Sequence, residues 1–156
     1  LPRLLERAGT NGRRGSITGI YTVLVEGDDM NEPIADAVRS IADGHVVLDR
    51  GLASRGHYPA VNVLSSVSRL MTEVADADHV KRANEFRSLL ADFARIEDLV
   101  SVGAYEKGAN ERTDLALEMI DDLNRYLIQG VDQAASMKES LDAMKKLLTI
   151  RKLGRG

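Results

Sequence analysis

The sequence predicts an α/β first half followed by an all-helical second half, and three observations carry that reading. Residues 16–27, SITGIYTVLVEG, are apolar without clean alternation, the pattern of a strand buried on both faces of a parallel sheet. A helical segment and two further strand-like runs follow it closely, so that strand, helix and strand make a βαβ unit, which is right-handed in nearly all cases. Beyond Glu73 the apolar residues recur every three or four positions, the spacing of one helix face.

Taken in order, LPRLLERAG (residues 1–9) reads as the end of a helix closed by Gly9, because glycine adopts the left-handed cap without a Cβ penalty. The turn-rich loop TNGRRG leads into the apolar run. Pro33 suits a first helical turn, where its missing N–H costs nothing, and Ile34, Ala37, Val38 and Ile41 continue that helix to Gly44. HVVLD (45–49) is a second strand and YPAVNV (58–63) a third, with a short helical turn over residues 52–54 between them. Three amphipathic helices follow. Their apolar stripes are Val80, Ala83, Phe86, Leu90, Phe93, Ile96 and Val100; then Ala116, Ile120, Leu123 and Leu127; then Met137, Leu141, Met144 and Leu148. Gly103, Gly108 and Gly130 punctuate the breaks, so neighbouring helices can pack antiparallel. The tail LGRG (153–156) carries no helix signal and is expected to fray.

A chain of 156 residues with 44% hydrophobic and 29% charged residues has a globular composition, and a net charge of −3 implies no field-driven affinity for nucleic acid. No apolar run approaches the length of about 18 residues that a bilayer demands, and no secretory signal opens the chain, so a cytoplasmic location is expected. The absence of cysteine removes disulfides, thiolate catalysis and Cys-ligated zinc together. His45, His57 and His79 are too scattered to form a metal site on their own.

Each candidate functional residue has an ordinary alternative. VVLD ending at Asp49 and VLVE ending at Glu26 imitate the apolar strand whose terminal acid holds Mg²⁺ in nucleotide hydrolases, but most buried strands end in a polar residue. G-x-x-x-x-G-K-[ST] does not occur in these residues, so they encode no phosphate-cradling loop and should not alone bind a triphosphate tightly. Arg69 reads as a transition-state arginine or as a surface residue capping a turn with Ser65, Ser66 and Ser68. Tyr58, beside Pro59, either stacks on a ligand or packs, and His57 suits a hydrogen-bonded loop. The acids of GDD (27–29) stand where α/β sheets gather their sites, though loop solvation explains them equally. Lys145, Lys146, Arg151, Lys152 and Arg155 could meet acidic lipid or a partner, or simply favour a helix C-terminus.

Taken together, LPRLLERAG, GSITGIYTVLVEGDDMNEPIADAVRSIADGHVVLDR and GHYPAVNVLSSVSRL closely resemble the flagellar and type III secretion ATPases, relatives of the catalytic subunits of the rotary ATP synthase. The resemblance runs on through GAYEKG to NRYLIQGVD, and VEGDDMNEPIADAVRSI with GHYPAV leans towards the flagellar branch. It implies the C-terminal part of a RecA-like parallel sheet over residues 1–73, followed by an all-α helical domain over residues 74–156. Tyr58 then corresponds to the tyrosine lining the adenine pocket, Arg69 to the arginine finger reaching in trans into a neighbour's site, and Tyr126, more loosely, to a second adenine-pocket aromatic. Asn62 departs from the aspartate that the family typically carries after YPA-[VI].

The resemblance further implies ATP and Mg²⁺ as cofactors, with the metal and phosphate groups held by residues upstream of this chain, and a homo-hexamer as the active form. The implied partners are a flagellar export apparatus, stalk and regulator proteins, export substrates and chaperones, with no nucleic acid. The implied location is cytoplasmic, peripheral at the inner-membrane export apparatus. A function of another class stands beside it: a non-catalytic helical module that recruits export substrates, chaperones or a stalk protein. A hexameric RNA translocase is disfavoured by the acidic balance and by the lack of a basic, aromatic-studded face.

Overall fold

The computed structural model describes residues 2–10, 12 and 14–153, and the chain divides into two compact units, residues 1–45 and 46–156. In the first unit α1 (Pro2–Leu5) stops earlier than its sequence suggests: Arg7 N and Ala8 N close a turn on the Leu4 and Leu5 carbonyls. Gly9, at a φ of 136° that favours glycine, opens β1 (Gly9–Thr10) instead of capping the helix. β1 pairs antiparallel with β2 (Ser16–Ile17), Gly9 opposite Ile17 and Thr10 opposite Ser16.

The expected long strand over residues 16–27 is reduced to those two residues. A strand persists only where a neighbour accepts its backbone hydrogen bonds, and β1, the one strand beside β2 among the described residues, is two residues long. Residues 18–25 run on without a ladder, with Ile20 and Leu24 each 92% exposed. The Tyr21 hydroxyl donates to the Leu4 carbonyl at 3.1 Å, holding this segment near α1. A 3-10 turn over Glu26–Asp28 leads to α2 (Pro33–Ile41). There Pro33 occupies the first turn as expected, Glu32 caps through Ile34 N at 3.0 Å, and Ala35 is buried.

The second unit begins within β3 (Gly44–Leu48), which is paired with β4 (Val61–Ser68); α3 (Arg50–Ser54) lies between them in sequence. Gly44 opens β3 rather than closing α2, whose cap is Ala42. The third strand starts at Val61, later than Tyr58, and runs through the serine cluster, so Ser65, Ser66 and Ser68 are strand residues rather than a turn. After α4 (Met71–Val74) come α5 (Ala77–Ala94), α6 (Glu97–Ser101), α7 (Glu111–Leu127) and α8 (Met137–Leu153). The first periodic run is therefore two helices: α5 ends at Ala94, and Ile96 and Val100 belong to the turn and short helix after it. Leu153 still belongs to α8, and the rest of the tail lies outside the described residues.

Helix faces make the core. Phe86, Leu89 and Leu90 of α5 meet Ala116, Met119 and Leu123 of α7, and Met144 and Leu148 of α8 close the cluster. Val63 of β4 packs against it, and Arg87 of α5 donates to the Val63 carbonyl at 2.8 Å and the Ser66 carbonyl at 2.9 Å. Strand and helices in this unit thus share one core. Helix starts are capped by side chains: Asp76 accepts from His79 N, and Asn110 from Arg112 N and Thr113 N. Ser136 and Glu139 form a reciprocal capping box ahead of α8.

Two buried acids sit within this helical structure, and both are satisfied. Asp92 accepts from Arg95 at 3.1 Å and from Arg112, which also reaches Ser88. Asp114 accepts from the Tyr105 hydroxyl at 2.8 Å and from Gly108 N at 2.9 Å, pinning the loop ahead of α7 to its first turn. Gly108 has a φ of 100°, which turns that loop into place at no Cβ cost. Burial, with the bond to the Asp114 carboxylate, raises the Tyr105 pKa.

Candidate functional site

Tyr58 projects from a loop that the chain builds tightly. Asp49, at the end of β3, caps α3 by accepting from Leu52 N at 3.1 Å, while its own N–H donates to the Ala60 carbonyl at 2.8 Å. The Leu52 carbonyl accepts from both Arg55 N and His57 N, and Gly56 takes the left-handed turn between them at a φ of 73°. His57 is buried, and its main-chain N–H is the bonded group. Tyr58 follows through a cis bond to Pro59, with 55% of its surface exposed. An exposed aromatic on a well-bonded loop presents a ring for stacking at little ordering cost.

Asn62 is the other half of this loop's base. Its amide donates to Asp49 Oδ2 at 2.9 Å, its Oδ1 accepts from Ser65 N at 3.0 Å, and its carbonyl accepts from the Ser66 hydroxyl. The Asn62 amide, and after it the Leu52 N–H, hold the Asp49 carboxyl below its ordinary pKa. Asp49 therefore serves as cap and loop anchor. The departure from aspartate at Asn62 supplies the donor that faces it.

Arg69 stands exposed at the bend directly after β4, before α4. Tyr58 precedes the same strand. Eight extended residues span about 25 Å at roughly 3.3 Å each. The two side chains consequently mark opposite ends of one strand.

Tyr126 is placed differently. Its ring lies 5.2 Å from that of Phe86, tilted by 55°, its hydroxyl donates to the Ser140 carbonyl at 3.1 Å, and burial raises its pKa. Three residues on, Gln129 N donates to the Tyr58 carbonyl at 2.8 Å. Ile128 and Gln133, with Asp121, Asn124 and Arg125, line a shallow open depression of about 570 Å³. Gln129 Nε2 bonds the Gln133 carbonyl, and Gly130 N donates to Gln133 Oε1 at 3.3 Å, so the turn after α7 is closed on itself. Sequence reasoning missed Gln129 and Gln133. Each of their contacts has a main-chain group on one side, and such groups leave no residue-type signal.

The remaining candidates lie apart. Glu26 begins the 3-10 turn, and Asp29 Oδ1 accepts from Asn31 N at 2.9 Å, an ordinary loop-capping role. Lys145 and Lys146 are exposed on α8, while Arg155 lies outside the described residues. Among the described residues no cluster of three His, Asp or Glu could hold a metal ion, and no helix is long and apolar enough to cross a membrane.

Two family models match the chain in tandem: the ATP synthase alpha/beta family, nucleotide-binding domain, over residues 1–68, and the T3SS EscN ATPase C-terminal domain over residues 75–146. The flagellum-specific ATP synthase of Bacillus subtilis (strain 168) is 52% identical over 147 residues, 94% of this chain and 33% of that protein. Over nearly its whole length the chain is similar to the flagellar and type III secretion ATPases. Within that family the assembled ATPase EscN of the enteropathogenic E. coli type III secretion system superposes with a TM-score of 0.89 at 38% identity, covering 95% of this chain and 36% of EscN. EscN in complex with its central stalk EscO gives a TM-score of 0.84 at 36% identity, covering 95% of this chain and 35% of EscN. The chain thus spans about a third of the length of the relatives it matches.

Proposed function

We propose that the chain is the C-terminal part of an ATP-hydrolysing protein-export ATPase of flagellar type III secretion, in which Tyr58 stacks on adenine and Arg69 serves the site of a neighbouring subunit. The carrying observation is that Tyr58 comes just before β4 and Arg69 directly after it, so a strand of eight extended residues, about 25 Å long, runs between the places where the two side chains attach. Placement at the two ends of a strand suits service to two different sites, and a ring of copies would supply each site with both. The homo-hexamer is the form we assign. Residues 1–73 then complete a RecA-like sheet and residues 74–156 form the helical domain, a division supported by family matches that stop at residue 68 and resume at residue 75.

In this reading the exposed Tyr58 ring offers adenine a stacking face worth about 1–3 kcal/mol, by analogy with bases stacked on aromatic side chains. Tyr126, joined to the Tyr58 loop through Gln129, backs that pocket from the core. Arg69 brings a guanidinium to the charge that develops on the phosphate oxygens as the terminal bond breaks. Mg²⁺ supplies charge neutralisation at the phosphates, and we assign its ligands, with the phosphate loop, to the remainder of the full-length protein. The exported flagellar proteins, their chaperones, a regulator and a stalk protein are the proposed partners, the stalk supported by the EscN–EscO complex. The protein would act in the cytoplasm, peripheral to the inner-membrane export apparatus.

Tyr58→Ala in the full-length ATPase tests the pocket. Stacking acts about equally in ground and transition states, so KM for ATP is expected to rise by roughly fivefold to 150-fold with kcat changed far less. An unchanged KM would return Tyr58 to a packing role. The second reading, a non-catalytic helical module, draws on the helical core of the second unit, and full-length protein that binds a stalk protein but hydrolyses no ATP would favour it.

A further inference from the structure

We propose that Asp49 is a positioning residue for Tyr58, acting through its side-chain bond to Asn62; this rests on Tyr58 being the adenine-stacking residue. The segment between them is a closed loop whose two ends meet at one carboxylate. On the entry side Asp49 Oδ1 accepts from Leu52 N, and the Leu52 carbonyl in turn receives His57 N, the residue immediately before Tyr58. On the exit side Asp49 Oδ2 accepts from the Asn62 amide, and Asp49 N donates to Ala60 two residues beyond Tyr58. Each route from Asp49 to Tyr58 passes through hydrogen bonds of 2.8–3.1 Å.

Asn62 is itself oriented. Because its Oδ1 is occupied by Ser65 N, the amide cannot turn over without giving up that bond, so its NH₂ is committed to Asp49. The pairing therefore has a direction, with the acceptor at position 49 and the donor at position 62. That direction separates it from mere packing, since an exchanged pair would fill the same volume.

The test uses the full-length ATPase and reads kcat and KM for ATP separately. Asp49→Asn keeps an oxygen to cap α3 but sets amide against amide. A lost charge-assisted hydrogen bond shifts an equilibrium by roughly tenfold or more, and the loop is expected to pass on enough to raise KM about fivefold to tenfold with kcat within about twofold. Asn62→Asp, which sets two carboxylates together, is expected to do the same. The double variant Asp49→Asn with Asn62→Asp reverses the donor and acceptor and keeps an oxygen for both Leu52 N and Ser65 N; its KM should return to within about twofold of the parent. Singles with parental KM, a double variant no better than the singles, or kcat falling as far as KM rises would each overturn the inference. Tyr58→Ala, run alongside, distinguishes the two levels. If it raises KM while Asp49→Asn does not, the positioning role alone fails; if it leaves KM unchanged, the adenine assignment falls and this inference with it.

Discussion

Arg69→Ala in the full-length ATPase is expected to lower kcat about a hundredfold or more while leaving nucleotide affinity nearly intact. An arginine that meets charge developing only in the transition state contributes differential binding, and such fingers have been worth roughly 10³ to 10⁵ in rate. The motivating observation is its place, exposed at the end of β4 and about 25 Å by strand length from the Tyr58 end. Because the residue is proposed to act in trans, mixing Arg69→Ala with a variant lacking the phosphate-loop lysine should recover part of the activity: some interfaces then pair an intact arginine with an intact pocket. Parental turnover by Arg69→Ala in a confirmed ring would make Arg69 a surface residue of the β4–α4 bend.

The largest expected effect on stability is at Leu123, which is fully buried between α5, α7 and α8. Leu123→Ala removes three carbons from the core cluster that also holds Phe86, Met119 and Leu148, and leaves a cavity that helices tied by Asp92–Arg112 cannot readily close. A cost of about 3 kcal/mol follows from comparable truncations. For a unit of this size that lowers Tm by about 10 °C. Thermal unfolding followed by circular dichroism reads it, with Val131→Ala as the control because Val131 is fully exposed. A Leu123→Ala shift no larger than the control's would mean that the three-helix core is not the stabilising centre.

The helical half was largely legible because its signals are local. Period, caps and glycine breaks all act within a few residues, and they anticipated α5, α7 and α8. Asp114 was not legible: a lone acid on a helix reads as solvent-facing, and only the returning loop with Tyr105 and Gly108 buries it. The apolar run at residues 16–27 misled for the opposite reason. Its composition specifies burial, but a strand also needs a partner, and a partner is a property of the whole sheet. At the candidate site Tyr58 and Arg69 stood out as residue types. The Asn62 amide facing Asp49 and the Gln129 N–H on the Tyr58 carbonyl became visible only with the chain folded.

Beta-strand 4 also has a mechanical consequence. With the proposed roles at its two ends it is a stiff rod, anchored near its middle by Arg87 on the Val63 and Ser66 carbonyls. Tilting a rod of about 25 Å by roughly 5° about its centre moves each tip by about 1 Å, in opposite senses. A misplacement of about 1 Å at reacting groups can cost roughly a hundredfold in rate. A few degrees of subunit rotation would then seat Arg69 at one interface as the same motion shifts the Tyr58 loop at the other, giving adjacent sites a common throw without any element having to unfold.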